Sequence, residues 1–327
     1  MKLASKLCSI LALTVLLASI CATVYAQTVW VSIQNPGSGS QGKWFSPYWV
    51  GEIPIRIADS KAGAPSGVQT NAYCMQESGV VYIGGTYQAD ITSVPDSATW
   101  KAISYILTWY NPPSNPDDAV RNQVAMWKLL GGYSKPSWLP SSYDTAGENL
   151  KNTATGKDVV RQTDTLSWTA PSGLVDNGAV RADPGDSIYF EVQLTDYQGN
   201  PRPNVKITFS AAPLLGATDV FTSSQGKAGV TVNVPSSSPQ GLIVDVRAET
   251  RGIWPRVFLN LNDYVQGTQD LIGIDTTYDL TVEARACVIG HINVVPEVQL
   301  GTVAAASMLA LGFVVWSKKK GKGKAAA

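Results

Sequence analysis

The chain contains a single histidine, His291, and it stands close to the C-terminal end. Ser-His-Asp or Cys-His catalysis needs that ring inside a pocket, and its place beside a long apolar run argues against both. One histidine also rules out a histidine-rich metal site. Cysteine is scarce, with four in 327 residues: Cys8, Cys21, Cys74 and Cys287. Charge is thin as well, at 15% of residues, and balanced at 25 basic and 25 acidic side chains. A nucleic-acid binder needs a basic face, which this balance does not supply. There is no EF-hand loop and no glycine-rich phosphate loop, and no spacing marks one pair of carboxylates for glycoside hydrolysis. Neither cofactor nor metal is expected.

The two ends carry targeting signals. Lys2 and Lys6 precede an apolar run from Leu7 to Ile20, and Val24-Tyr25-Ala26 offers a small-residue cleavage site before Gln27. Residues 1–26 therefore read as a signal peptide. Its removal leaves only Cys74 and Cys287, in a compartment where disulfides persist. Near the other end, Val298 to Trp316 is 19 residues without a charge. At about 1.5 Å per residue this run nearly crosses a ~30 Å hydrocarbon core. Lys318, Lys319, Lys320, Lys322 and Lys324 follow it. The positive-inside rule makes 317–327 a cytoplasmic tail and puts everything before the span outside. The expected location is the cell surface, on a single-pass anchor.

Between the ends the chain has room for two domains. From residue 28 to 95, VWVSIQ, WVGEIPIRIAD and VVYIGGTYQADI alternate partially between Gly, Pro and Ser clusters and read as strands. Two helices follow, from Asp96 to Trp109 and from Asn115 to Leu130. Residues 131–172 are rich in Gly, Ser, Pro and Asp, with a closing strand near Asp164 to Trp168. The first domain, 27–172, is thus α+β, mostly strand with a small helical part. From Leu174 the pattern turns all-β, with a turn at Gln198-Gly199-Asn200-Pro201, and 174–290 reads as a second domain with a stem. Several tryptophans, among them Trp44, Trp49 and Trp138, lie in the first domain, and core packing is their expected use.

The second helix carries the chemistry. Asn115 suits an N-cap, Pro116 the first helical position, and Asp117 and Asp118 the positive end of the dipole. Ala119, Val120, Val124, Trp127 and Leu130 form one apolar stripe. Gln123 falls inside that stripe, where a buried carboxamide needs either partners or a reaction. Cys74 is the one cysteine in the same domain. Taken from the residues alone, it could be an inert buried thiol, half of a disulfide with Cys287, or a partner for Gln123.

NQVAMW at 122–127 resembles the TQxA[IV]W signature of the thioester domains of microbial surface adhesins, and YCM at 73–75 resembles their [YFL]C[IV] motif. Asn122 stands where threonine is usual, and Met75 and Met126 where Ile or Val is commoner. The resemblance spans roughly residues 28 to 172. It implies an internal thioester between Cys74 and Gln123, within an environment of Tyr73, Met75, Asn122, Ala125 and Trp127. In such a bond the thiol has displaced ammonia from the glutamine, helped by effective molarities of about 10⁵–10⁸ M for well-held reactants. A foreign amine then attacks the acyl carbon and expels the thiolate, leaving an isopeptide-type crosslink. That is single-use capture without turnover, so no enzyme is implied.

The second domain resembles the bacterial immunoglobulin-like domains of invasin and intimin stalks, through Asp196, Gly199, Asn200, Pro201, Gly226 and Ala228. In that family these residues shape turns and pack a sandwich. Val295-Pro296-Glu297 ahead of the apolar run resembles a tripartite surface-sorting tail, but a plain transmembrane helix is the simpler expectation. The whole reads as a membrane-anchored adhesin with a thioester domain on an immunoglobulin-like stalk, aimed at an amine-bearing surface protein. The competing expectation is a non-covalent envelope component without a working thioester.

Overall fold

The computed structural model describes residues 27–36, 41–46, 48–76, 83–262, 270–274 and 277–288. The signal peptide, His291, the apolar run 298–316 and the tail 317–327 lie outside the described residues. Among the described residues no helix is long and apolar enough to cross a membrane.

Strand dominates. The first half comprises β1 (Gln27–Ile33), β2 (Gly42–Phe45), β3 (Tyr48–Gly51), β4 (Ile53–Ala58), β5 (Val68–Cys74) and β6 (Thr86–Ser93), then helices α1 (Ala98–Trp109), α2 (Pro116–Leu130) and α3 (Ser141–Ala154). Next come β7 (Thr165–Ala170), β8 (Gly178–Ala182), β9 (Ser187–Thr195), β10 (Lys206–Ala212), β11 (Leu215–Phe221), β12 (Lys227–Asn233) and β13 (Ile243–Ile253). The last described strands are β14 (Arg256–Asn262), β15 (Leu271–Gly273) and β16 (Thr277–Val288).

Six strands close a barrel in the order β1-β4-β5-β15-β14-β6, and β2 and β3 form a separate hairpin. Val29, Val31 and Ile33 alternate into the barrel core, as the two-residue period of a strand requires, and meet Ile53, Ile55, Ala72 and Ala89 there. Two further sheets, β11-β10-β13-β16-β8 and β12-β9-β7, pack face to face. Phe190, Val192 and Leu194 from one sheet meet Ile207, Phe209, Val246 and Ala284 from the other in one apolar layer. Each large side chain buried there contributes roughly 1.5–3 kcal/mol.

The strand pairing corrects the boundary at 172/174. β7 pairs antiparallel with β9 and so belongs to the sandwich, although its sequence sits in the stretch assigned to the first domain. Conversely, β14 pairs with β6, and β15 with β5, so residues 256–273 leave the sandwich and complete the barrel. Neighbouring strands in a sheet need no proximity in sequence, and no local pattern marks such an excursion.

Helix α3 falls where the composition of 131–172 predicts loop. Its buried residues are only Gly147, Leu150 and Ala154, too few for a visible stripe. It is held instead by close approach and charge. A Cβ on Gly147 would lie 2.5 Å from Val124 Cγ1, and Lys128 of α2 bridges Asp144 at 2.9 Å and Glu148 at 3.2 Å. The halves meet at a polar joint. Arg202, in the turn after β9, reaches Asp164 at 3.1 Å and Asp158 at 3.6 Å, and Thr108 of α1 accepts the Ile253 N–H at 2.8 Å.

Candidate functional site

The site is the contact of β5 with α2. The sequence places α2 through its ends: the Asn115 side chain accepts from the Asp118 N–H at 2.9 Å, Pro116 opens the helix, and Gly131 stops it with φ 83°. Along the helix, Val120, Val124 and Trp127 enter the barrel core, while Ala125 and Met126 pack against α1. Gln123 lies at the seam between these two faces and is 1% exposed.

Strand β5 departs from the sequence expectation. VQTNAYC is polar and lacks alternation, so Cys74 reads as preceding a strand, whereas it ends one. Cys74 is 7% exposed and belongs to the barrel core, and Tyr73, pointing the other way, is fully buried among the helices. Main-chain groups alternate too. Asn71 and Met75 bond across to β15, through Ile274 N–H at 3.1 Å and Asp270 O at 2.9 Å. The N–H and C=O of Cys74 therefore point to the opposite side, where β4 has its first residue at Ile53, paired with Ala72. No strand partner remains for them.

Gln123 fills that gap. Its Nε2 donates to the Cys74 carbonyl at 2.6 Å, and its Oε1 accepts from the Cys74 N–H at 3.1 Å. Trp127 Nε1 donates to the same carbonyl at 3.0 Å. The carboxamide thus takes the place of one more strand residue. Of the two needs a buried carboxamide has, partners or a reaction, the first is met: both polar atoms of Gln123 have partners. It also fixes the carbonyl carbon one bond from an atom in contact with Cys74.

The other expected neighbours brace this contact. Tyr73 donates its hydroxyl to Asn111 Oδ1 at 3.0 Å, and Asn122 Nδ2 donates to the Tyr110 carbonyl at 2.7 Å. Ala125 is fully buried, where any larger residue would push α2 off its neighbours, and Met75 packs with the helical core. The structure brings all seven sequence-named residues to one seam. Cys74 and Cys287 are both free, so the disulfide alternative is not realised; Cys287 lies on β16, in register with Ile243 of the sandwich.

Burial pushes the Cys74 thiol up to about 12. A thiol held protonated at neutral pH does not behave as a free nucleophilic cysteine, which needs an electropositive setting. Sequence reading missed one further residue. Glu52, between β3 and β4, is 2% exposed, and burial pushes its carboxyl up to about 7 against the pull of contacts with Asn71 and Tyr73. The available signal was an acid inside the apolar run WVGEIPIRIAD, which reads equally well as an outward-facing strand residue.

No protein-family model and no curated protein matches the chain. Among solved structures it is similar to the thioester domain of the Enterococcus faecium TIE86 protein, at 15% identity over 79% of this chain and 96% of that one, with a TM-score of 0.30. It is also similar to the Bacillus anthracis TIE protein, at 9% identity over 80% of this chain and 49% of that one, with a TM-score of 0.32. A third similarity is to the endo-beta-1,4-mannanase from Thermotoga petrophila, at 13% identity over 54% of this chain and 37% of that one, with a TM-score of 0.20. Such TM-scores are too low to carry either fold or chemistry across, so the functional reading rests on the side chains.

Proposed function

We propose that the chain is a surface adhesin that captures an amine covalently through a thioester between Cys74 and Gln123. The observation that carries this is the seating of the Gln123 carboxamide on the backbone of Cys74, inside a buried seam. The thiol sulfur attacks the carbonyl carbon, and the Cys74 N–H at Oε1 stands ready as a donor to the oxyanion. The thiol proton passes to Nε2, the C–N bond breaks and ammonia leaves, so that an S–C bond replaces it without any external base. Escape of ammonia removes the reverse nucleophile, and the apolar surroundings keep water from the acyl carbon. A lysine amine of a target surface protein then adds to the same carbon, expels the Cys74 thiolate and leaves an amide on Gln123. The site acts once, and no turnover is proposed.

The sandwich serves in this reading as an immunoglobulin-like stalk. Its support is the turn where Asp196 Oδ1 accepts the N–H groups of Gln198 at 2.8 Å and Asn200 at 2.9 Å around Gly199, whose φ is 83°. The membrane anchor at 298–316 is read from sequence alone.

A second reading has one observation in its favour. Because both polar atoms of Gln123 are already paired with Cys74, the pair also makes sense as a purely structural clasp in a non-covalent envelope protein. Mass separates the two. Under the covalent reading, purified protein weighs one ammonia less than its sequence, Cys74 resists alkylation, and methylamine adds to Gln123 with release of a thiol. Cys74→Ala abolishes the mass deficit and the methylamine adduct. Full sequence mass with a freely alkylated Cys74 establishes the clasp.

A further inference from the structure

Glu52 has no part in the scheme above, yet it is a buried carboxyl beside the strand that carries Cys74. With Ile53 in register with Ala72, it stands across from Tyr73 on the neighbouring strand. Its carboxyl lies against the side chains of Tyr73 and Asn71, while Oε1 has no partner among the described residues. Tyr73 has one hydroxyl proton, and Asn111 Oδ1 already takes it at 3.0 Å. Asn111 follows Tyr110, whose carbonyl accepts from Asn122 Nδ2 at 2.7 Å, and Asn122 is next to Gln123 in the chain. Hydroxyl protons must therefore be shared out. If Glu52 is protonated, it donates to Tyr73, Tyr73 donates to Asn111, and every contact has a hydrogen. If Glu52 is ionised, two acceptors compete for one proton and one contact is lost.

Resting on the thioester reading, we infer that Glu52 is a pH-sensitive positioning residue: protonated, it locks β5 to α2 through Tyr73 and Asn122, and ionised, it loosens the seam and opens the acyl carbon to amines. The surroundings fit this role. Tyr73 stays protonated because burial, then the nearby Glu52 charge, holds it well above its usual range. Arg121 is the cation acting on the cluster from α2, and it is engaged with Asp118 at 2.7 Å. Asn71, Gln41 and Trp49 contribute no charge, and Cys74 remains a thiol. Burial raises the Glu52 carboxyl from 4.5 to about 7. The sign follows: the locked state is fully present below the unfolded value near 4.5 and is lost as pH rises through about 7.

The test compares the full chain in detergent with Glu52→Gln, whose amide donates to Tyr73 at every pH. Methylamine addition is timed from pH 6 to 8.5, and the ratio of wild-type to variant rates cancels the ionisation of the amine. A rise of about fivefold or more in that ratio is expected, a factor well within the loss of a single hydrogen bond. A flat ratio overturns the switch. If neither protein adds methylamine, the thioester reading has failed, and the switch is then read from iodoacetamide alkylation of Cys74. There too a rise in the ratio supports the switch and a flat ratio overturns it. Should Glu52→Gln not fold, Tyr73→Phe removes the hydroxyl the carboxyl lies against and must flatten the pH rise. A rise that survives in Tyr73→Phe overturns the route through Tyr73.

Discussion

The two halves of the molecule bury different things. Between its sheets the sandwich buries a mainly apolar layer with Thr250 at its margin, and its buried charges Asp158, Asp164 and Arg202 are confined to the joint with the first half. The barrel and its helices bury Glu52, Ser104, Asn122 and Gln123, the last of them bonded to the backbone of a buried thiol residue, Cys74. Buried polar groups cost stability unless satisfied, and those of the sandwich are few and paired: Thr222 donates to the Arg202 carbonyl and Thr250 to that of Lys206. Under the function proposed above, the contrast is that of a spacer and a reactive head.

The strongest way to break the contrast is to cut the covalent traffic between the halves. Ile253 at the end of β13 is in register with Thr277 at the start of β16, so an Asn-Gly turn in place of 254–276 closes a direct hairpin. This deletion removes β14 and β15, two of six barrel strands, one of them paired with Cys74. The sandwich is expected to stay folded by circular dichroism and proteolysis. The barrel should lose its protected amides and every trace of methylamine adduct. A barrel that survives means β15 does not hold the Cys74 strand in place.

Next in size is a wound to the spacer alone. Phe209 is fully buried between the sheets and far from Cys74 in the packing. Phe209→Ala should destabilise the sandwich by about 3–5 kcal/mol in urea unfolding. Methylamine capture by the folded protein should keep its wild-type rate. A slowed capture would show that the sandwich tunes the site through the Arg202 joint.

Within the reactive half, Trp127→Phe keeps most of the bulk and removes one donor from the Cys74 carbonyl. The carbonyl retains Gln123 Nε2 only until ammonia leaves, so the variant acts on the reacted state most. An expected loss of about 1–3 kcal/mol should appear as a lower melting temperature for the thioester form than for the amine adduct. Equal losses in both forms would mean that Trp127 serves only to fill space.

How much of this was visible in the sequence depends on the kind of force involved. Helix α2 was legible almost to the residue, because Asn115, Pro116, the two aspartates and a 3.6-residue stripe are all local signals. The pairing of Cys74 with Gln123 was legible only through the motif resemblance. Strand β5 was not, since a polar strand held by neighbours on both sides shows no alternation. Helix α3 was hidden for a related reason: one glycine contact and one lysine stand in for a stripe. The crossing of β14 and β15 into the barrel was invisible because strand pairing between distant segments leaves no local trace. Glu52 was missed because an acid in a strand is normally solvated, and only its neighbours make it buried.

The smallest effect tests whether the head owes its site to helix ends or to packing. Asn115 makes two contacts with Asp118: its Oδ1 accepts the backbone N–H at 2.9 Å and its Nδ2 donates to the carboxylate at 2.9 Å. The corresponding cap of α1 is weaker, with Ser97 Oγ 3.4 Å from the Trp100 nitrogen. Asn115→Ala should cost about 1 kcal/mol, in the usual range for a lost cap. Two turns separate the cap from Gln123, and Val120, Val124 and Trp127 clamp the intervening helix to the barrel. Fraying at Pro116 should therefore stop before it reaches the carboxamide. The thioester fraction by mass and the rate of methylamine addition should both stay at wild-type values, while the urea midpoint falls. A capture rate that drops along with stability would mean that the first turn of α2, and not the apolar clamp, sets the position of Gln123.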